Sequence, residues 1–279
     1  MSDSYHKIFI VAGEASGDIY GAQFAREASK IKNVEIRGWG GDQMASEGVT
    51  ISKHYSELAF MGFWEVLKNL RTVTRNIRNC WKEIQEFNPD ALVLVDFPGF
   101  NMRIAKLSQA AGIKTYQIIC PQIWAWKASR IVALARDYNA IFPALPFEDQ
   151  ILKNGGANSQ SLGHPIIDTL DDFKAEKDPK LIALLPGSRK QEVNKILPVF
   201  VGVSKMFEGY NFIIAGAPGL TINDYSVATK AAMQVEFGQT REILAKSQAA
   251  IITSGTATLE AALQGTKHLI AYKTGAFNY

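Results

Sequence analysis

Apolar runs of strand length recur along the chain at 7–11, 91–95, 115–120, 140–143, 181–185, 211–215, 249–253 and 268–272, with helical periodicity between them. Continuous apolar strands that alternate with helices predict parallel sheets joined by helical crossovers, because strands covered on both faces lack polar alternation. Between Asp168 and Lys180 the pattern lapses into DTLDDFKAEKDPK, charged and poor in apolar residues, which reads as an interdomain linker. The expected fold class is α/β, with two doubly wound Rossmann-like domains in tandem over residues 1–168 and 169–279. Ligands of such folds sit at the carboxyl ends of the strands, and between two such domains they sit in the cleft.

One segment carries a different pattern. From Phe63 to Phe87, helical spacing puts Phe63, Leu67, Leu70, Ile77, Trp81 and Ile84 on one face. Lys68, Arg71, Arg75, Arg78 and Lys82 line another. Preceded by Phe60-Met61-Gly62-Phe63-Trp64, this helix either lies on an anionic membrane or seats a lipid, or else turns its apolar face to the core and a basic face to solvent. Composition narrows the partners. With 47% hydrophobic residues in 279 the chain is globular, and 30 basic against 27 acidic residues leave a net charge of +3, too small to argue for nucleic acid. Cys80 and Cys120 lack metal-ligand spacing and fit a reducing compartment. The polar stretch 1–7 leads directly into a strand, so no signal peptide is expected, and no apolar run approaches the roughly 18 residues of a membrane span. A cytosolic protein is expected.

The strand-to-helix turns hold the chemistry. The last of them, Ser254-Gly255-Thr256-Ala257, follows a buried strand and opens a helix whose first amides favour an anion such as a phosphate. A capping box rooted at Thr256 would need its acid at Leu259, so Glu260 is left for another ligand, and a ribose suits it. The alternative is an ordinary turn with a solvated glutamate. Gly13-Glu14-Ala15-Ser16-Gly17-Asp18 does not match the dinucleotide fingerprint, and Glu14 would repel a pyrophosphate, so this loop suits sugar hydroxyls or proton transfer. Asp18 can instead cap the helix, with Gly21 allowing close packing. Asp96, at the end of a buried strand in VDFPGFN, is the leading general-base candidate, since desolvation there would raise its pKa; an Asx turn before Asn101 is the alternative. Pro186-Gly187-Ser188-Arg189 repeats the turn geometry, with Ser188 and Gln191 in capping-box register. Arg189 there can grip phosphate oxygens, or stand solvated at a helix start where its charge opposes the dipole and asks for an anion. Trp124 and Trp126 read either as core or as cleft lining, and the lone His164 reads as structural.

Taken together, VAGEASGD at 11–18, MGFWEVL at 61–67, DFPGFN at 96–101, PQIWAWK at 121–127, LPFE at 145–148, GHP at 163–165, LLPGSR at 184–189 and TSGTATLE at 253–260 resemble the lipid-A-disaccharide synthase family, in its motif order. The resemblance implies an inverting, metal-free GT-B glycosyltransferase without a cofactor. It would join UDP-2,3-diacylglucosamine to 2,3-diacylglucosamine 1-phosphate (lipid X) through a β-1,6 bond and release UDP. It also implies Asp96 as base, Arg189 at the diphosphate, Ser254, Gly255, Thr256 and Glu260 on UDP, and Glu14, Ser16 and Asn101 on the substrate side. Met61, Phe63, Trp64, Arg71 and Arg75 would meet lipid and an anionic inner-membrane surface from the cytoplasm.

Two departures stand out. Many family members carry a second acid where this chain has Gly99, so Asp96 stands without a carboxylate partner there. Family chains also continue past the strand at 268–272, so apolar surface left uncovered is expected to promote self-association. Rival readings are another GT-B UDP-sugar enzyme, such as a UDP-N-acetylglucosamine 2-epimerase, and a silent nucleotide- or lipid-binding fragment.

Overall fold

The computed structural model describes residues 6–58, 70–125, 128–169, 175–253 and 255–273. The chain divides into two compact units, residues 1–165 and 166–279.

In the first unit the elements run β1 (His6–Ala12), α1 (Ala15–Ala28), β2 (Val34–Gly40), α2 (Asp42–Ser46), β3 (Thr50–His54), α3 (Leu70–Phe87), β4 (Ala91–Val95), α4 (Pro98–Ala110), β5 (Lys114–Ile118), α5 (Ile131–Asp137), β6 (Ala140–Phe142) and α6 (Pro146–Asn154). The sheet is wholly parallel, in the order β3-β2-β1-β4-β5-β6. Strand order reverses between β1 and β4, and that reversal is where a doubly wound sheet opens its ligand crevice. Phe9, Val11, Leu92 and Leu94 form the middle of the core, with Ile104 from α4 and Cys80, Ile84 and Phe87 from α3 packed on them. Arg71, Arg75, Arg78 and Lys82 are exposed on α3. The described part of that helix is therefore core-facing with a solvated basic side. Met61, Phe63 and Trp64 lie outside the described residues.

The second unit runs β7 (Asp178–Leu185), α7 (Lys190–Ser204), β8 (Asn211–Gly216), α8 (Ser226–Lys230), β9 (Gln234–Phe237), α9 (Thr240–Lys246), β10 (Ser247–Ile252), α10 (Thr256–Leu263) and β11 (Lys267–Ile270). Its parallel sheet has the order β11-β10-β7-β8-β9, so the reversal falls between β7 and β10. Leu184, Val193, Leu197, Phe200 and Ile214 fill one face of this sheet, and Ala183, Leu185, Leu244 and Ile252 fill the other.

Three strands escape the apolar-run pattern. VEIRGWG in β2 mixes a Glu35–Arg37 ion pair with glycines, and β3 and β9 are short and polar. The helix after β7 also starts later than the Ser188 capping box predicts, at Lys190, with no side-chain cap.

Asp18 does cap a helix, but not its own. Fully buried in α1, its Oδ1 accepts from the amides of Gly41 at 2.7 Å and Met44 at 3.1 Å, and its Oδ2 from Gln43 at 3.0 Å. The carboxylate thereby closes the start of α2, 25 residues downstream of itself at Gln43. Gly21 makes the approach possible, because a Cβ there would lie 2.7 Å from Met44 Sδ. Asp18→Ala should destabilise the protein by about 3 kcal/mol, since three amides, those of Gly41 and Met44 buried, lose a charged acceptor. Urea unfolding measures this, and a loss under about 0.5 kcal/mol would contradict the cap.

Candidate active site

Each sheet presents two loops at its reversal point. In the first unit they follow β1 and β4, whose ends are register partners, Ala12 with Val95. Glu14 takes the N-cap position of α1 in an extended conformation, and its carbonyl, not its side chain, accepts from Asp18 N at 2.9 Å. Glu14 and Ser16 are both partly exposed. The loop after β4 is bent hard, with Asp96 at φ 46° and Phe97 at φ 51°, consecutive left-handed residues that are not glycine. Such conformations cost about 1–2 kcal/mol each and persist only where the surroundings enforce them.

The enforcement is visible. Phe97 stacks on Phe100 with ring centroids 5.2 Å apart, and Gly13 leaves room for it, because a Cβ there would meet the Phe97 ring at 2.4 Å. Asp96 N donates to Ile118 O at 2.9 Å, while Asp96 O accepts from Asn101 Nδ2 at 2.7 Å and Gln117 Nε2 at 3.2 Å. Asp96 itself is partly exposed at the carboxyl end of the sheet. Asn101 is fully buried and its amide is committed to the carbonyls of Val95 and Asp96, so it shapes the loop from beneath. Sequence reasoning passed over Gln117; the available signal was an amide inside the strand run TYQIIC.

Two of the sequence motifs meet beside this loop. Trp124 Nε1 donates to Glu148 Oε1 at 2.9 Å, and Leu145 N donates to Glu148 Oε2 at 3.0 Å. The Trp124 ring is 47% exposed and packs edge-on against Phe147, so it belongs to the surface rather than the core. Trp126 lies outside the described residues. Burial, with Glu148 adding to it, pushes the Cys120 thiol above its ordinary range, which removes it as a nucleophile.

In the second unit the loops follow β7 and β10, whose ends are again partners, Leu185 with Ile252. Arg189 sits at the N-cap position of α7 and its Nη1 donates to Glu192 Oε1 at 2.8 Å. Glu192 is the anion that an arginine at a helix start requires. Gly187, at φ 108°, lets the turn pass over that carboxylate, since a Cβ there would lie 2.7 Å from Glu192 Oε2. After β10, Gly255 stands at the N-cap of α10 without a side-chain cap, and Gly255 and Thr256 are exposed. The Gly255 carbonyl is held by Thr258 through N at 3.0 Å and Oγ1 at 2.7 Å, which fixes the turn. Ser254 lies outside the described residues. Thr253, absent from the candidates drawn from sequence, is buried beside the turn, and its Oγ1 has no hydrogen-bond partner among the described residues.

Glu260 is not the unengaged carboxylate that its spacing suggests. Its Oε1 lies 3.3 Å from Arg241 Nε of α9, in an ion pair with both side chains mostly buried. Burial pushes its pKa above the ordinary carboxylate range and Arg241 opposes that push. The pair connects residues 19 apart, beyond any capping-box or helical spacing.

The family model for lipid-A-disaccharide synthetase matches residues 8–279. The lipid-A-disaccharide synthase of Geobacter sulfurreducens is 33% identical over 292 residues, covering 98% of this chain and 76% of its own. Those of Syntrophus aciditrophicus and Coxiella burnetii (strain Dugway 5J108-111) are 32% and 30% identical, covering 98% and 99% of this chain and 76% and 77% of theirs. Among solved structures, the UDP-GlcNAc 2-epimerase of Neisseria meningitidis bound to UDP-GlcNAc superimposes with a TM-score of 0.66 at 13% identity, covering 95% of this chain and 82% of the other. The Rickettsia bellii epimerase gives 0.65 at 12%, covering 95% and 78%. At such identities the likeness concerns the fold, two doubly wound parallel domains.

His164 is a packing residue of the first unit. Its ring meets Tyr20 edge-on at 5.6 Å, and burial holds its pKa below the ordinary 6.5. The folded state therefore favours the neutral ring, so this contribution is complete above pH 6.5 and is lost as pH falls through the lower folded-state value. His164→Phe should flatten the pH dependence of the urea midpoint below neutrality. An unchanged slope would contradict the packing role.

Proposed function

This chain belongs to the lipid-A-disaccharide synthetase family, and from that membership we propose that it transfers 2,3-diacylglucosamine from UDP to lipid X, releasing UDP. The chemistry is that of a glycosyltransferase. Asp96 takes the proton of the acceptor 6-hydroxyl as that oxygen attacks the donor anomeric carbon from the face opposite the diphosphate. The bond from the anomeric carbon to the phosphate oxygen breaks, and UDP leaves with the electron pair, so the configuration inverts. Arg189 and the first-turn amides of α10 stabilise the charge that develops on the diphosphate. Glu260, oriented by Arg241, receives the ribose hydroxyls, and Glu14 and Ser16 receive the acceptor sugar.

The observation that carries the reading is the left-handed turn at Asp96 and Phe97, which sets Asp96 at the carboxyl end of β4 while the Phe97 ring packs over Gly13 of the loop after β1. The presence of Glu192 at 2.8 Å from Arg189 supports an exchange of anions, with the diphosphate taking over a guanidinium already oriented.

Lipid substrates call for a membrane surface. Among the described residues no helix is long and apolar enough to cross a membrane, and Arg71 and Arg75 on the exposed side of α3 suit anionic headgroups. The reading places the chain on the cytoplasmic side of the inner membrane, held peripherally with the 61–64 segment. Leu269 and Ile270, exposed on the edge strand β11, support self-association.

Transfer from UDP-2,3-diacylglucosamine to lipid X, followed by product mass, tests the function, with UDP-N-acetylglucosamine as the non-acylated control. Asp96→Asn should lower kcat by about 10²- to 10⁴-fold with UDP binding unchanged. Wild-type turnover in that variant would remove Asp96 as base. Arg189→Lys should weaken UDP binding about tenfold, because a point charge replaces a planar fork; calorimetry with UDP reads this, and unchanged affinity would contradict the diphosphate contact.

A further inference from the structure

Gln117 is an amide buried to 1% exposure in β5, opposite Leu94 of β4. An amide N–H group left unbonded in such a place is costly, so the bonds of Nε2 define its role. The Nε2 group donates to three main-chain carbonyls, Asp96 O at 3.2 Å, Ile118 O at 3.2 Å and Ile119 O at 2.8 Å. One of these carbonyls lies across the sheet in the loop after β4, and two lie in Gln117's own strand and the residue following it. Asp96 and Ile119 are both left-handed, at φ 46° and φ 60°. Gln117 thus ties together two strained strand ends at the mouth of the first unit, neither of which is a glycine.

We infer that Gln117 is the positioning residue of the Asp96 carboxylate, an inference that rests on Asp96 acting as the base. The direction of an aspartate side chain follows from its own φ and ψ, since these set where Cβ points. Left to itself Asp96 relaxes toward the right-handed or extended regions, which rotates Cβ away from its present direction. Gln117 and Asn101 hold the same carbonyl from two sides, Asn101 from within α4 and Gln117 from the neighbouring strand. Asn101 ties the loop to the helix that follows it, whereas Gln117 ties it to the sheet. The Gln117 bond, with the Asp96 N to Ile118 O bond at 2.9 Å beside it, fixes both sides of the Asp96 peptide against the frame on which the acceptor loop after β1 is also built.

The test is a double-mutant cycle on kcat. Gln117→Met keeps the volume and removes the donors, and Gln117→Asn keeps an amide too short to span the three carbonyls. Gln117→Met should lower kcat about tenfold to a hundredfold with KM within about twofold, as expected when a reacting group is misplaced by about an ångström. In an Asp96→Asn background the same change should have no further effect on the residual rate. In the full chain, the Asp96 Cα and Cβ chemical shifts should move away from left-handed values in Gln117→Met. An equal loss in both backgrounds, or wild-type kcat in a folded Gln117→Met protein, would overturn the inference. If Gln117→Met fails to fold, Gln117→Asn is read through the same cycle with the same two outcomes. Full turnover in Asp96→Asn by itself overturns the base reading, and is told apart because it needs no change at Gln117.

Discussion

The turn after β4 governs the first unit. A parallel strand that ends in two left-handed residues must be held against relaxation, and the holding groups come from three directions. Gly13 yields space to the Phe97 ring, Asn101 rises from α4, and Gln117 reaches across from β5. A side chain at position 13 or a lost amide at either of the other two would release the same bend. Around this bend, sheet topology does the rest, because the order reversal between β1 and β4 opens the crevice at the point where Asp96 stands.

The second unit solves a different problem by similar means. Its two loops also flank an order reversal, but the groups they offer are charged and must be kept ordered without a ligand. Arg189 is satisfied by Glu192 and Glu260 by Arg241. Each pair holds an ionised side chain in place at modest cost, since both are partly shielded from solvent while keeping one charged partner. On the proposed function, a diphosphate and a ribose would each meet a group whose conformation is already set, which lowers the entropy lost on binding.

Much of this was legible in the chain. The apolar strands β1, β4, β7 and β10 and the glycine-containing turns after them gave the α/β class and located Asp96, Arg189 and the Gly255 turn, because local period and turn chemistry operate within a few residues. What escaped depends on distance along the chain. The Asp18 cap on α2, the Arg241 partner of Glu260 and the reach of Gln117 to Asp96 join residues about 20 apart or more, and spacing rules for a single element do not extend so far. Strand β2 was lost for a different reason. Its Glu35 and Arg37 pair with each other and Arg37 lies over the Phe87 ring at 4.8 Å, so tertiary contacts stabilise charges that read as loop. Asn101, which the resemblance set on the substrate side, is fully buried and its Nδ2 donates to the carbonyls of Val95 and Asp96, a role in the loop that spacing alone does not reveal.

The central claim is that the bend at Asp96 delivers a carboxylate to the acceptor hydroxyl. A structure of the protein with lipid X bound tests it most directly. The account predicts the 6-hydroxyl oxygen within about 3 Å of an Asp96 carboxylate oxygen, with the bend unchanged. A bound acceptor whose 6-hydroxyl meets Glu14, with Asp96 more than about 6 Å away, would contradict it.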